Sequence, residues 1–140
     1  SPEYLWWNFK IARQMYETII LNCYRDEALS GFIILKIVTN KEINLKRSRV
    51  IDLFVLDNDP KVILSLMKEA EKRSRELGCS VLDFSGFSPE IHNIVSPYSQ
   101  FERTFPNFPF YFLPQDELLK AELFKTENWY PTHYDGDSLF

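Results

Sequence analysis

The stretch from Arg49 to Gly86 constrains the fold more than any other. Arg49-Val-Ile-Asp-Leu-Phe-Val-Leu56 is an almost continuous apolar run, interrupted only by Asp52. A run of that length, rich in β-branched and aromatic residues, suits a strand covered on both faces. A turn at Asp57-Asn-Asp59 follows. Asp59 offers its side chain as an N-cap, and Pro60 takes the first helical position, where a missing N–H costs nothing. Ile63, Leu66, Met67, Ala70, Ser74 and Leu77 recur at spacings of three and four, giving a helix over residues 60–77 one apolar stripe. Glu69–Arg73 and Glu71–Arg75 supply favourable i,i+4 pairs on its solvated side. Gly78 ends the helix as a left-handed residue, and Ser80 to Ser85 resumes an extended pattern. Strand, helix and strand at this length make a βαβ crossover, so the two strands are expected to be parallel and the connection right-handed.

The flanks are read around that unit. Ser1 to Phe9 is a short helix candidate whose Trp6 and Trp7 read as hydrophobic anchors. Tyr16 to Tyr24 is a strand by β-propensity. Arg25-Asp-Glu-Ala28 is a tight turn, and Leu29 to Val38 returns as the second arm of an antiparallel hairpin. Thr39 to Arg49 is expected to be a polar connection, holding Lys41, Lys46, Arg47 and Arg49 against Glu42. Downstream, Ser88 caps a short helix near Glu90 to Val95. Phe110 to Leu113 is a short strand candidate, Asp116 to Phe124 a short helix, Trp129 to Tyr134 a last strand and Asp135-Gly-Asp137 a terminal turn.

Composition bounds the class. With 140 residues, 45% hydrophobic and 26% charged, the chain can bury a proper core and reads as one domain spanning residues 1–140. A net charge of −4 argues against nucleic acid as a partner. No apolar run approaches the ~20 residues that span a bilayer, so no membrane partner is expected. Cys23 and Cys79 read as buried free thiols, which leaves the cytoplasm as the expected compartment.

The order of elements, together with Asp52-Leu-Phe-Val55 and Leu66-Met-Lys-Glu-Ala-Glu-Lys-Arg-Ser-Arg-Glu-Leu-Gly78, resembles the GNAT superfamily of N-acetyltransferases. These segments are similar to that family's central strand and its following helix. The opening Glu3-Tyr-Leu-Trp-Trp7 and the closing Trp129-Tyr with Asp135-Gly-Asp137 are similar to GNAT-like domains of longer bacterial proteins. The resemblance implies an α/β (α+β) fold, a mixed, mostly antiparallel twisted sheet with a central parallel βαβ unit. The family's first strand and helix have no counterpart here, which suggests the C-terminal part of a longer protein.

The resemblance also implies a site. The pantetheine arm of acetyl-CoA would lie along Leu53, Phe54, Val55 and Leu56, where the central strand splays from its parallel neighbour. The pyrophosphate would rest near Asn58, Lys61 and Val62, on the helix N-terminus. The family's glycine-rich turn is absent: Leu56-Asp-Asn-Asp-Pro-Lys-Val-Ile63 contains no glycine. Side chains then crowd the approach of a diphosphate. Pro60 removes one amide, and Asp57 and Asp59 oppose an anion with only Lys61 to balance them.

The implied chemistry is acyl transfer from acetyl-CoA to a small-molecule or peptide amine. Asp52 would act as general base, its pKa raised by burial, and Tyr98 would protonate the departing thiolate. The bland reading of Asp52 is a structural carboxylate bonded to the neighbouring chain, or one pointing at solvent beyond the sheet. A non-catalytic GNAT-fold binding or assembly module is the first alternative, favoured by the missing glycine turn. A Fem-like aminoacyl transferase is the second, disfavoured by the negative charge. No metal site is expected, because His92 and His133 lack ligand-spaced partners. Phe101 to Phe112 reads as core or a lid, with an acceptor pocket or a homodimer surface as the alternatives.

Overall fold

The computed structural model describes residues 17–104, 113–125 and 128–129. The expected first helix, all but Leu113 and Trp129 of the strand candidates at Phe110–Leu113 and Trp129–Tyr134, the terminal turn, His133 and most of the Phe101–Phe112 cluster lie outside the described residues.

Strand β1 (Glu17–Arg25) turns through Asp26 and Glu27 into β2 (Ala28–Asn40), and β3 (Leu45–Val55) follows. Both turn residues have positive φ, 46° and 66°, the twist that joins hairpin strands through a two-residue loop. Helix α1 (Pro60–Glu76), strand β4 (Val81–Asp83) and helix α2 (Pro89–Val95) come next. Helix α3 (Glu117–Leu123) is the last described element of regular structure. The sheet order is β1-β2-β3-β4, with the first two pairs antiparallel and the last parallel. The mixed α/β sheet with one parallel crossover is therefore as expected.

Three boundaries differ from expectation. The connection between β2 and β3 is not Thr39–Arg49 but residues 41–44. The Asn40 side chain accepts from the Glu42 and Ile43 amides at 3.0 and 3.4 Å, and Asn44 takes φ 50°, so a compact Asx turn replaces a loop. Lys46, Arg47 and Arg49 consequently sit inside β3. Strand β4 is three residues rather than six. Leu56, expected in the strand, opens a 3₁₀ turn over Leu56–Asn58.

The main core cluster lies on one face of the sheet. Ile33 and Leu35 of β2, and Val50, Leu53 and Val55 of β3, pack against Val62, Ile63, Leu66 and Ala70 of α1 and Ile91 and Val95 of α2. A bulge sustains this pattern. Ile34 pairs with Asp52 while Leu35 pairs with Val50, leaving Ile51 as an extra residue. The inward phase therefore moves from Ser48 and Val50 to Leu53 and Val55, and the strand bends there. Helix α1 is anchored by polar contacts as well. Ser74 Oγ and Ser48 Oγ meet at 2.6 Å in a buried contact between helix and sheet. Lys46 Nζ donates to the Leu77 carbonyl at 2.9 Å, closing the helix end, where Gly78 takes φ 73° as expected.

Candidate functional site

The expected acyl-CoA path runs along the edge of β3 that faces β4. The parallel ladder matches Arg47 to Val81, Ser48 to Leu82 and Arg49 to Asp83, then ends. Beyond Arg49, β3 continues for six residues, through Val55, while β4 stops at Asp83. Among the described residues the two strands thus share a short ladder, which ends just before the bulge at Ile51. The ladder is pinned by charge: Asp83 Oδ2 lies 3.5 Å from Arg47 Nη1 and 3.6 Å from Arg49 Nη2. Arg49 also bears on its cross-strand neighbour Lys36, whose pKa is lowered by burial first and by the Arg49 charge second. Cross-strand like charges of this kind are unfavourable.

Side chains alternate about that backbone. Leu53 and Val55 are buried in the core, and Val62 joins them from α1. Any ligand contact from these three would come through their backbone. Phe54 is about half exposed on the opposite face, at 52%, and stacks on Phe32 with ring centroids 5.8 Å apart. Asp52 shares that face, half-buried and opposite Ile34. Tyr98 ends a 3₁₀ turn after α2, in the helical layer, and is 72% exposed. The two expected catalytic residues therefore belong to different layers of the fold.

The turn into α1 departs most from sequence reasoning. Asp57 and Asn58 take φ values of 55° and 49°. Both lie in the left-handed region that Asp and Asn tolerate better than other side chains. The turn thus bends as a glycine turn would, while keeping its side chains. Asn58 Nδ2 donates to Glu90 Oε2 at 2.8 Å, tying the turn to α2.

The amides at the start of α1 are already engaged. Asp59 Oδ1 accepts from Lys61 N at 2.8 Å, and the Asp59 carbonyl accepts from Val62 N and Ile63 N, each at 3.0 Å. Pro60 has no N–H to offer. The other carboxylate oxygen of Asp59 accepts from Arg25 Nη1 at 2.7 Å. The Lys61 amide, and after it the Arg25 guanidinium, hold the Asp59 carboxyl below the usual carboxylate range. An internal carboxylate therefore sits where the resemblance puts a pyrophosphate. Arg25, which sequence reasoning missed, is 34 positions from Asp59, and no local pattern announces the pairing.

Other candidates carry less chemistry. Cys79 is a free thiol whose pKa burial pushes up, which lowers its thiolate fraction and its reactivity. His92 Nε2 stands 3.5 Å from Glu102 Oε1. Among the described residues no three His, Cys, Asp or Glu side chains gather closely enough to hold a metal, and no helix is long and apolar enough to cross a membrane. A groove of about 320 Å³ between β1 and α1 is lined by Leu21, Asn22, Cys23, Leu66, Lys68 and Glu69, among others. It lies at the β1 edge of the sheet, away from the β3–β4 ladder.

No protein-family model matches the sequence, and no curated protein sequence matches it. Solved structures do match the fold. A ribosomal-protein-alanine N-acetyltransferase from Brucella melitensis biovar Abortus aligns over 68% of this chain and 71% of its own, with a TM-score of 0.56 and 19% identity. An aminoglycoside 6′-N-acetyltransferase from Acinetobacter haemolyticus aligns over 81% and 82%, with a TM-score of 0.57 and 14% identity. An acetyltransferase from Clostridium acetobutylicum, solved with acetyl-CoA, aligns over 76% and 70%, with a TM-score of 0.57 and 8% identity. At such identities the likeness is one of fold, and the fold is that of the GNAT acetyltransferases.

Proposed function

We propose that this chain is an N-acyltransferase domain that takes its acyl group from acetyl-CoA and passes it to a small-molecule or peptide amine. One observation supports this reading: among the described residues the β3–β4 ladder covers Arg47–Arg49 and β4 ends at Asp83, while β3 runs on to Val55. A strand edge that runs on past its partner can receive the amide-bearing pantetheine arm as an added strand, main chain to main chain. The thioester would then lie near the bulge at Ile51, within reach of the face that carries Asp52. The amine nitrogen attacks the thioester carbonyl, Asp52 takes the ammonium proton, and the carbon–sulfur bond breaks to release the CoA thiolate. Tyr98 is the proposed donor of a proton to that thiolate. Backbone amides of β3 would stabilise the tetrahedral oxyanion.

The test is release of CoA thiol in the presence of a panel of primary amines. Replacing Asp52 with Asn should lower turnover by roughly 10²–10⁴-fold, the usual worth of a positioned general base, with the far-UV spectrum unchanged. An Asp52→Asn enzyme as fast as the parent would remove the catalytic assignment.

A second reading is favoured by Asp59. Because its carboxylate caps the Lys61 amide and pairs with Arg25, the diphosphate cradle is filled from within. On that reading the domain binds a partner or an assembly through an inherited fold and transfers nothing. The two readings diverge on acetyl-CoA binding.

A further inference from the structure

The face of the sheet turned away from α1 carries a polar row across all the described strands. Thr18 pairs with Lys36, Lys36 with Arg49, and Arg49 with Asp83. Arg47 stands two residues earlier on the same face of β3, between Val38 and Val81. Ser48, between the two arginines in sequence, points the other way and meets Ser74 of α1. Lys36, Arg47 and Arg49 thus gather about the single carboxylate of Asp83, with Lys36 and Arg49 directly opposite as like charges.

Asp83 does not satisfy the guanidiniums beside it. Arg47 Nη1 and Arg49 Nη2 both approach the same oxygen, Oδ2, at 3.5 and 3.6 Å. Both distances exceed the about 2.7–2.9 Å of a charge-assisted hydrogen bond. A guanidinium sets its N–H donors in a planar fork that matches the paired oxygens of a carboxylate or phosphate. The side chains of Arg47 and Arg49 keep 35% and 38% of their surface exposed. Holding β4 in place needs one such contact at full strength. The geometry instead gives two weak ones that share an oxygen and leave donors to spare. Position selects what they can hold. Arg49 lies three residues before Asp52 on the same face of β3, at most ~10 Å along the strand. The CoA diphosphate is expected beyond Leu56, about seven strand steps or ~23 Å from Arg49, which is too far. Two guanidiniums followed by a carboxylate complement an oxyanion followed by an ammonium.

We infer that Arg47 and Arg49 bind a carboxylate or phosphate group of the acceptor, which is a small amine carrying an oxyanion, with its ammonium directed to Asp52. The incoming oxyanion exchanges two long contacts with Asp83 for bidentate ones. The inference rests on the acyl-transfer reading for the role of this ligand, and on Arg47, Arg49 and Asp83 for its place.

Heteronuclear NMR titration of the chain with β-alanine, O-phosphoethanolamine and ethanolamine, without acetyl-CoA, reads the site alone. An anionic amine is expected to shift the Arg47, Arg49 and Asp83 amides saturably, roughly tenfold or more tightly than ethanolamine does. Which of the two anionic amines does so tells carboxylate from phosphate. Arg49→Lys keeps the charge but loses the fork, and should erase most of that preference in a chain whose spectrum stays folded. Asp83→Asn removes the competing carboxylate and should tighten the anionic amines severalfold, a gain that arginines serving only to hold β4 would not give. Equal binding of the three amines, or saturable binding by none, overturns the inference. So does a preference that is the same in the parent, Arg49→Lys and Asp83→Asn. The same amines in the thiol-release assay test the acyl-transfer reading separately. Anion-selective binding with no release of CoA thiol would retire that reading and leave the oxyanion site standing.

Discussion

At the first turn of α1 one carboxylate does two jobs. Asp59 satisfies the Lys61 amide and holds Arg25 at 2.7 Å, and both contacts favour its ionised form. Its folded-state pKa is therefore lower than in the unfolded chain. The stability it contributes is complete above the unfolded value of about 4 and is lost as pH falls through the folded value. Asp59→Asn should thus lower the melting temperature at pH 7, and the difference from the parent should shrink as the pH is lowered from about 5 toward 2. A constant difference across that range would show that the charge is irrelevant. The buried hydroxyl pair gives a second residue-scale test. Ser48 and Ser74 meet at 2.6 Å, and Ser74 also donates to the Ala70 carbonyl at 2.7 Å. Ser48→Ala and Ser74→Ala should each cost about 1 kcal/mol in denaturant unfolding. The double substitution should cost less than the two together, because both remove one contact. Local signals of this kind were legible in sequence: the Asp59 cap, the Ser88 cap that accepts from Ile91 N and Gly78 all follow from neighbours in the chain. Arg25 was not, because its partner is brought by the fold.

The elements were legible in type and less so in extent. The β-propensity of β1, the apolar run of β3 and the helical stripe of α1 each announce their element in sequence. Where β3 begins was hidden, because Lys46, Arg47 and Arg49 look like loop residues until Asp83 is placed beside two of them. The shortness of β4 was hidden as well, since Phe84 and Ser85 are good strand residues in sequence. Helix α1 realised one of its two expected pairs: Arg75 reaches Glu71 at 2.6 Å, while Glu69 turns to Lys72 at 3.8 Å and Arg73 to Glu76 at 2.6 Å. Side chains this exposed choose among partners of nearly equal worth. Gly31 tests how tightly β2 and β3 are joined near the end of β3. A Cβ there would meet the Phe54 carbonyl oxygen at 2.8 Å and Val55 Cγ2 at 2.9 Å. Gly31→Ala should destabilise the chain by about 1–3 kcal/mol through forced backbone movement. An alanine variant as stable as the parent would mean that the strands can separate there without cost.

At the scale of the whole molecule, the described residues place a bent central strand between an antiparallel hairpin strand and a short parallel partner, with α1 and α2 packed on one face. That fold is shared with the acetyltransferases it matches, and its β3–β4 ladder ends at Arg49. Where the resemblance implies a glycine-rich turn, this chain has the Asp57-Asn-Asp59 turn, whose Asp57 and Asn58 take positive φ and whose Asp59 caps the helix start. Sequence alone exposed the missing glycines. It could not show that two of the substitutes adopt left-handed geometry, because Asp and Asn adopt other turns as readily. The central claim is that β3, beyond its ladder with β4, receives acyl-CoA despite this turn. Isothermal titration of the chain with acetyl-CoA, and separately with free CoA, tests it most directly. The account predicts saturable binding at micromolar concentrations, tightened in Asp59→Ala, where the helix amide is released and an opposing charge removed. Absence of heat and of competition with either ligand, in the parent and in Asp59→Ala alike, would contradict it and leave the fold serving recognition.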